Sequence, residues 1–212
     1  MLFFAHTGIT LGSALLVGNA LSKGYSRRSA PQGRVVTGTS SPPQLDCATD
    51  CVDDNPPWFN SLAKQIDYRL ILIGSLLPDI VDKPIGGLFF GNGRIFCHTL
   101  LFLVVLSSAA VYFYTKRGIT WLIALSFGTF IHLILDQMWL EPGTLLWPIY
   151  GWAFERMDLS HWLEAILYAL RTDPAVYISE LVGFAILASF AVILARRKRV
   201  HAFIKMGAAQ LF

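Results

Sequence analysis

Histidine and aspartate recur at four widely spaced places in an otherwise apolar chain. They are His6, Asp79 and Asp82 in Pro78-Asp79-Ile80-Val81-Asp82, His98, and His132 with Asp136 in His132-Leu133-Ile134-Leu135-Asp136. Such residues are costly in apolar segments unless they are neutralised, paired or bound. A metal ion would satisfy all of them together. His132 and Asp136 stand four apart, so a helix puts them on one face, and Asp79 and Asp82, three apart, can also point together. Histidine and carboxylate ligands with an open position suit zinc, with manganese and iron as alternatives. Hydrolysis is then the natural reaction class, because such an ion activates water and polarises a phosphoryl or carbonyl oxygen. The expected ligands are His6, Asp79, His98, His132 and Asp136. Asp82 is the candidate for a further ligand or a general base. Arg94, four residues before His98, is the candidate electrophile, since a guanidinium grips phosphate well. Each residue also has a bland reading. A single membrane histidine is usually a helix–helix hydrogen-bond partner, His132 and Asp136 could be an ion pair, Asp79 could cap a helix, and Arg94 could be an interfacial anchor.

The elements that must position these residues are long and apolar. Of 212 residues, 54% are hydrophobic and 15% charged, and the mean hydropathy is +0.53. Ordinary soluble domains carry about 25% charged residues. We expect one all-α membrane domain over residues 1–212, a polytopic bundle of about five transmembrane helices. A span needs about 20 mostly apolar residues. The expected spans are residues 2–22, 67–82, 98–115, 119–138 and 175–195. No basic segment precedes the first, so it reads as a retained helix rather than a cleaved signal. Residues 24–66, rich in Pro, Gly, Ser and acidic residues, read as a mostly irregular loop insertion. Residues 83–97 read as a re-entrant or interfacial turn, and Lys116-Arg117-Gly118 as a tight connection. Asp173 followed by Pro174 reads as an N-cap opening the last span.

Lysine and arginine placement sets the orientation. With the N-terminus outside and the C-terminus cytoplasmic, segments 23–69, 116–117 and 196–205 face the cytoplasm. They hold thirteen of the seventeen Lys and Arg residues; Lys83, Arg94, Arg156 and Arg171 remain outside. At a rise of about 1.5 Å per residue, Asp79 then lies about 17 Å and His132 about 20 Å above the cytoplasmic starts of their spans. His6 and His98 sit at the outer ends of theirs. All four clusters fall in one outer layer, although the charge count did not require it.

Other residues read differently. Leu159, Trp162, Leu163, Ile166, Leu167 and Leu170 make the stripe of an amphipathic helix lying on the outer membrane surface, which leaves His161 solvated. His201 reads as a cytoplasmic surface residue. Trp139, Trp147, Trp152 and Trp162 read as an aromatic belt at the outer interface. Glu180, near the start of the last span, faces the same cavity or bonds a neighbouring helix. Cys47 and Cys51 could be a metal knuckle or a disulfide, and a cytoplasmic loop favours reduced thiols. No phosphate-binding Gly loop, dinucleotide fingerprint, nucleophile elbow or nucleic-acid motif is present.

The ordered set resembles the membrane-bound, metal-dependent hydrolases described in some bacteria as LexA-regulated inner-membrane proteins. The resemblance is carried by His6, Leu76-Leu77-Pro78-Asp79-Ile80, Gly93-Arg94-Ile95-Phe96-Cys97-His98-Thr99, His132-Leu133-Ile134-Leu135-Asp136 and Gly143-Thr144-Leu145-Leu146-Trp147-Pro148. It covers most of residues 1–20 and 68–150. More distantly, the order is similar to zinc-dependent phospholipases C, whose metals are held by His and Asp from a helical bundle. The loop pattern is commonly His-Arg-Gly-x-Thr-His-Ser. Its first His is absent here, which counts against a full multi-metal complement.

Two functions follow as expectations. The first is a metal-dependent hydrolase of the bacterial inner membrane, acting at the outer face on an amphiphilic substrate such as a phospholipid or lipid-linked phosphoester, with membrane lipid as partner and no nucleic acid. The second is a non-enzymatic membrane scaffold, or a small ion or metal transporter, using the same polar residues.

Overall fold

The computed structural model describes residues 3–28, 67–156 and 161–207. Most of the expected loop, with Cys47 and Cys51, lies outside them, as does Leu159. The described residues are all-α. A wide π-helical turn, Ala5–Ile9, leads into α1, Thr10–Arg28. Next come α2 (Tyr68–Ile85), α3 (Leu100–Arg117), α4 (Trp121–Leu135) and the single turn α5 (Pro142–Leu145). The last described helices are α6 (Trp162–Thr172), α7 (Pro174–Arg196) and α8 (Val200–Met206).

Several boundaries differ from the sequence reading. Helix α1 runs past residue 23 to Arg28. Helix α2 continues through Lys83 and Pro84 to Ile85 and a further wide turn, Gly86–Phe90. Helix α4 stops at Leu135, because Gln137 adopts a left-handed backbone at φ 52°. Asp173 does cap α7, accepting the amide N–H of Ala175 at 2.9 Å, with Pro174 at the first helical position. Helix α6 begins three residues later than the expected stripe. His161 and the apolar Leu163 and Leu167 are exposed.

Five spans were expected. Among the described residues, two helices, α3 and α7, are long and apolar enough to cross a membrane by length and composition; α4 is apolar but only 15 residues long. Both long helices expose large apolar side chains, among them Leu101, Val105 and Val111 on α3 and Leu181, Phe184 and Val192 on α7. An apolar surface of this extent is what a lipid environment accommodates and water does not.

Two close backbone crossings hold the bundle. Gly74 of α2 and Gly128 of α4 sit where a Cβ would collide with the facing helix backbone. Gly8 and Gly183 do the same between the N-terminal turn and α7. Small residues at such crossings let helices approach and pack by dispersion, the main attraction between helices in lipid. Below these crossings, Leu11, Ala14, Tyr68, Ile71, Ala124, Phe190 and Leu194 form one apolar core, against which Phe203 of α8 packs. At the same end, Asp67 pairs with Arg69 at 2.6 Å, and Tyr68 donates its N–H to the Gly207 carbonyl at 3.1 Å. Burial would raise the Asp67 carboxyl pKa, but the hydrogen bonds from Arg69 outweigh it and hold the carboxyl below its usual value.

Candidate metal centre

The chemistry-bearing residues meet at the opposite end of the bundle, where α2 and α4 finish and where α1, α3 and α7 begin. Proline 78 starts the arrangement. Having no N–H, it leaves the carbonyl of Gly74, four residues back, without its helical donor. Thr129 of α4 donates its hydroxyl there instead, at 3.3 Å. The adjacent Ser75 carbonyl lies 2.6 Å from His132 Nδ1. A carbonyl only accepts, so His132 Nδ1 carries the proton and Nε2 is left with its lone pair.

His98 is oriented in the same manner. It ends a short 3-10 turn, Phe96–His98, and Thr99 then caps α3 by accepting the N–H of Phe102 at 3.0 Å. Asp82, wholly buried, receives the backbone N–H groups of Ile95, Cys97 and His98 at 2.9–3.1 Å. The same carboxylate lies 2.7 Å from His98 Nδ1. With three donors already aimed at it, Asp82 acts as the acceptor and His98 Nδ1 as the donor. In the neutral ring, His98 Nε2 then also presents a lone pair. Asp82 was expected as a further ligand or base. Its geometry instead suits it to sit behind His98, as carboxylates commonly do behind metal-ligating histidines.

The two lone pairs face one another, with Nε2 of His98 and Nε2 of His132 3.2 Å apart. Asp79 Oδ1 lies 3.7 Å from the first and 4.0 Å from the second. Asp136 Oδ2 lies 3.8 and 4.0 Å away, respectively. One ligand atom from each of Asp79, His98, His132 and Asp136 falls within 4.8 Å of the others. Four ligands at about 2.0–2.1 Å around a tetrahedral ion stand roughly 3.3 Å apart, so small side-chain adjustments would close this set on a metal. Two imidazole nitrogens with fixed lone pairs and two carboxylate oxygens make a donor set that fits a divalent cation.

His6, expected as a fifth ligand, is buried against His132, with ring centroids 4.3 Å apart. Its Nε2 lies 3.0 Å from Asp136 Oδ1, so it reaches the four-residue set through that carboxylate. Arg94 Nε lies 3.3 Å from Asp136 Oδ2, and its Nη1 is paired with Glu141. Lys83 Nζ lies 2.8 Å from Asp79 Oδ2. Cys97 stands beside the centre but outside the ligand set. Burial and the neighbouring Asp82 push its thiol up to about 12, so it stays protonated.

Glu180 was expected to face the cavity or to bond a neighbouring helix, and Lys83 had no expected role. Glu180 accepts the N–H groups of Phe4 and Ala5 at 3.0 and 3.2 Å, tying α7 to the turn that carries His6. A carboxylate in an apolar span was the available signal. Lys83 could have been read from its i, i+4 spacing to Asp79. Around the centre, Phe96, Trp147 and Phe154 pack together with centroids 5.3–5.6 Å apart, and Trp152 extends the group onto the surface.

The fold and site together define an all-α membrane protein with a buried His/Asp group able to hold a metal ion. Residues 1–203 match the sequence profile of a family described as YdjM inner membrane protein. The chain belongs to that family. No curated protein and no solved structure shows significant similarity to it.

Proposed function

We propose that this protein is a membrane-embedded, metal-dependent hydrolase acting on a phosphoester of an amphiphilic substrate at the outer face of the inner membrane. The observation that carries the reading is the meeting of the His98 and His132 Nε2 lone pairs at 3.2 Å between two carboxylates. The family description gives location and no reaction, so the reading rests on this chemistry. Zinc suits two nitrogens and two oxygens best, with manganese and iron as alternatives. Such an ion, when bound, lowers the pKa of water and polarises a phosphoryl oxygen. The protein's own part is orientation. Ser75 and Asp82 fix the two imidazoles, His6 steadies Asp136, and Arg94 is placed to meet negative charge on a substrate.

The membrane arrangement follows the same reading. Helices α1, α2 and α4 join α3 and α7 as five spans, with α6 on the outer surface. The concentration of Lys and Arg in 23–69, 116–117 and 196–205 favours a cytoplasmic C-terminus and an outward-facing centre. The aromatic group beside the centre suits an amphiphile entering from the lipid interface.

A second reading, a structural knot or an ion or metal transporter, is favoured by the ion pairs Lys83–Asp79 and Arg94–Asp136, which already offset the ligand carboxylates. Hydrolysis of phospholipid by purified protein in mixed micelles separates the two. The enzyme reading expects product from the wild type and none from Asp79→Asn or His98→Ala, with both variants folded. Metal-dependent flux into liposomes without any product would support transport instead.

A further inference from the structure

Among the described residues, Lys83 and Arg94 are the lysine and arginine that pair with the ligand carboxylates. Lys83 Nζ meets the outward oxygen of Asp79, Oδ2, at 2.8 Å, whereas Arg94 Nε meets Asp136 Oδ2, the oxygen that also faces the two histidines, at 3.3 Å. Each is also partly open to the surroundings, at 48% and 28% side-chain exposure, whereas His98 and His132 are wholly buried. Their separation in sequence is bridged by packing. A Cβ placed on Gly93 would touch the Lys83 stem at 3.7 Å, so Lys83 runs along the loop that carries Arg94. The loop is held in turn by Asn92, whose side chain accepts the Arg94 N–H at 2.8 Å and donates to the Glu155 carbonyl at 2.7 Å.

Charge decides what this rim attracts. A divalent ion would neutralise Asp79 and Asp136. Lys83 and Arg94 would then lose much of their attraction to those carboxylates, and the partly exposed Glu141 would still offset Arg94. The rim would keep one positive charge in excess, matched to a singly charged phosphodiester. Both cations carry several donors, and the planar guanidinium suits bidentate contact with phosphoryl oxygens.

We propose that Lys83 and Arg94 form a two-point clamp that holds a phosphoryl group over the Asp79–His98–His132–Asp136 set. The clamp rests on the metal-hydrolase reading and names its substrate class. Glu141 is the built-in competitor, occupying Arg94 until the phosphoryl group displaces it.

The test is binding rather than turnover. Purified protein is loaded with zinc, its metal content is measured, and inorganic phosphate is titrated in by calorimetry. The clamp predicts saturable phosphate binding. Lys83→Gln and Arg94→Gln should each weaken it about tenfold or more with metal content unchanged. Lys83→Arg should retain most of the affinity, and Glu141→Gln should tighten it. A parallel titration with short-chain phosphatidylglycerol identifies the source: tighter binding than phosphate marks a lipid headgroup, and equal binding marks a free phosphoryl group. Zinc-loaded protein that ignores phosphate overturns the clamp while leaving the metal centre standing. So do variants that bind phosphate as the wild type does, or that lose metal and phosphate in step. A wild type that takes up no zinc overturns the metal centre itself, and the clamp with it.

Discussion

His98 and His132 point their Nε2 atoms at each other across 3.2 Å, and each has its Nδ1 already committed, to Asp82 and to the Ser75 carbonyl. With both rings neutral, neither can turn its proton inward without giving up a buried hydrogen bond. The neutral pair then presents two acceptors, which is the arrangement a cation needs.

Asp82 is therefore placed to orient His98. Asp82→Asn keeps the volume but offers one acceptor oxygen where the carboxylate has two. We predict a fall in metal affinity of about 10- to 100-fold, the range seen when partners behind a ligating histidine are changed. Competition with a metal-indicating dye reads this directly, and unchanged affinity would remove Asp82 from the account.

Pro78 acts through what it lacks. Pro78→Ala restores the N–H that the Gly74 carbonyl would receive, in competition with the Thr129 hydroxyl. The variant helix should straighten and draw the Ser75 carbonyl away from His132. Metal affinity should drop while helix content by circular dichroism holds or rises. Full metal affinity in the variant would contradict this role.

The Gly74–Gly128 crossing sets the distance between the helices that carry Asp79 and His132. Gly128→Val forces Cγ atoms against the α2 backbone, where overpacking costs about 1–3 kcal/mol or more. Thermal unfolding in detergent should shift to lower temperature and metal should be lost together with it. A variant that unfolds like the wild type would show that the helices do not approach this closely.

Glu180 should govern the N-terminal turn. Glu180→Ala leaves the buried N–H of Ala5 and the part-buried N–H of Phe4 without this acceptor, at a cost of about 1–3 kcal/mol for the buried one. Hydrogen exchange at Phe4 and Ala5 should accelerate strongly, with little change in α4. Equal protection in both proteins would detach Glu180 from His6.

Much of this was legible beforehand. The residues of the final four-member set were each named from cost and spacing: a carboxylate or imidazole in an apolar segment stands out. The Asp173–Pro174 start of α7 was equally readable, because capping is local chemistry. What could not be read was which groups lie behind the ligands. The role of Asp82 depends on three amides of a loop thirteen to sixteen residues away, and spacing carries no trace of that fold-back. Nor could the effect of Pro78 be read, because the hydroxyl that takes over the freed Gly74 carbonyl belongs to Thr129, 55 residues away. The late end of α2 was hidden because Lys83 and Pro84 resemble a terminus, yet proline is tolerated where neighbouring groups take over the freed carbonyls.

Metal stoichiometry tests the central claim most directly. Protein purified in mild detergent without chelator, and exposed to zinc before desalting, is measured by elemental analysis beside His132→Ala and a surface control, Leu88→Ser. The account predicts about one tightly held divalent ion per chain in the wild type and the control, and none in His132→Ala with its helix content intact. A wild type well below stoichiometry, or equal metal in His132→Ala, would contradict it.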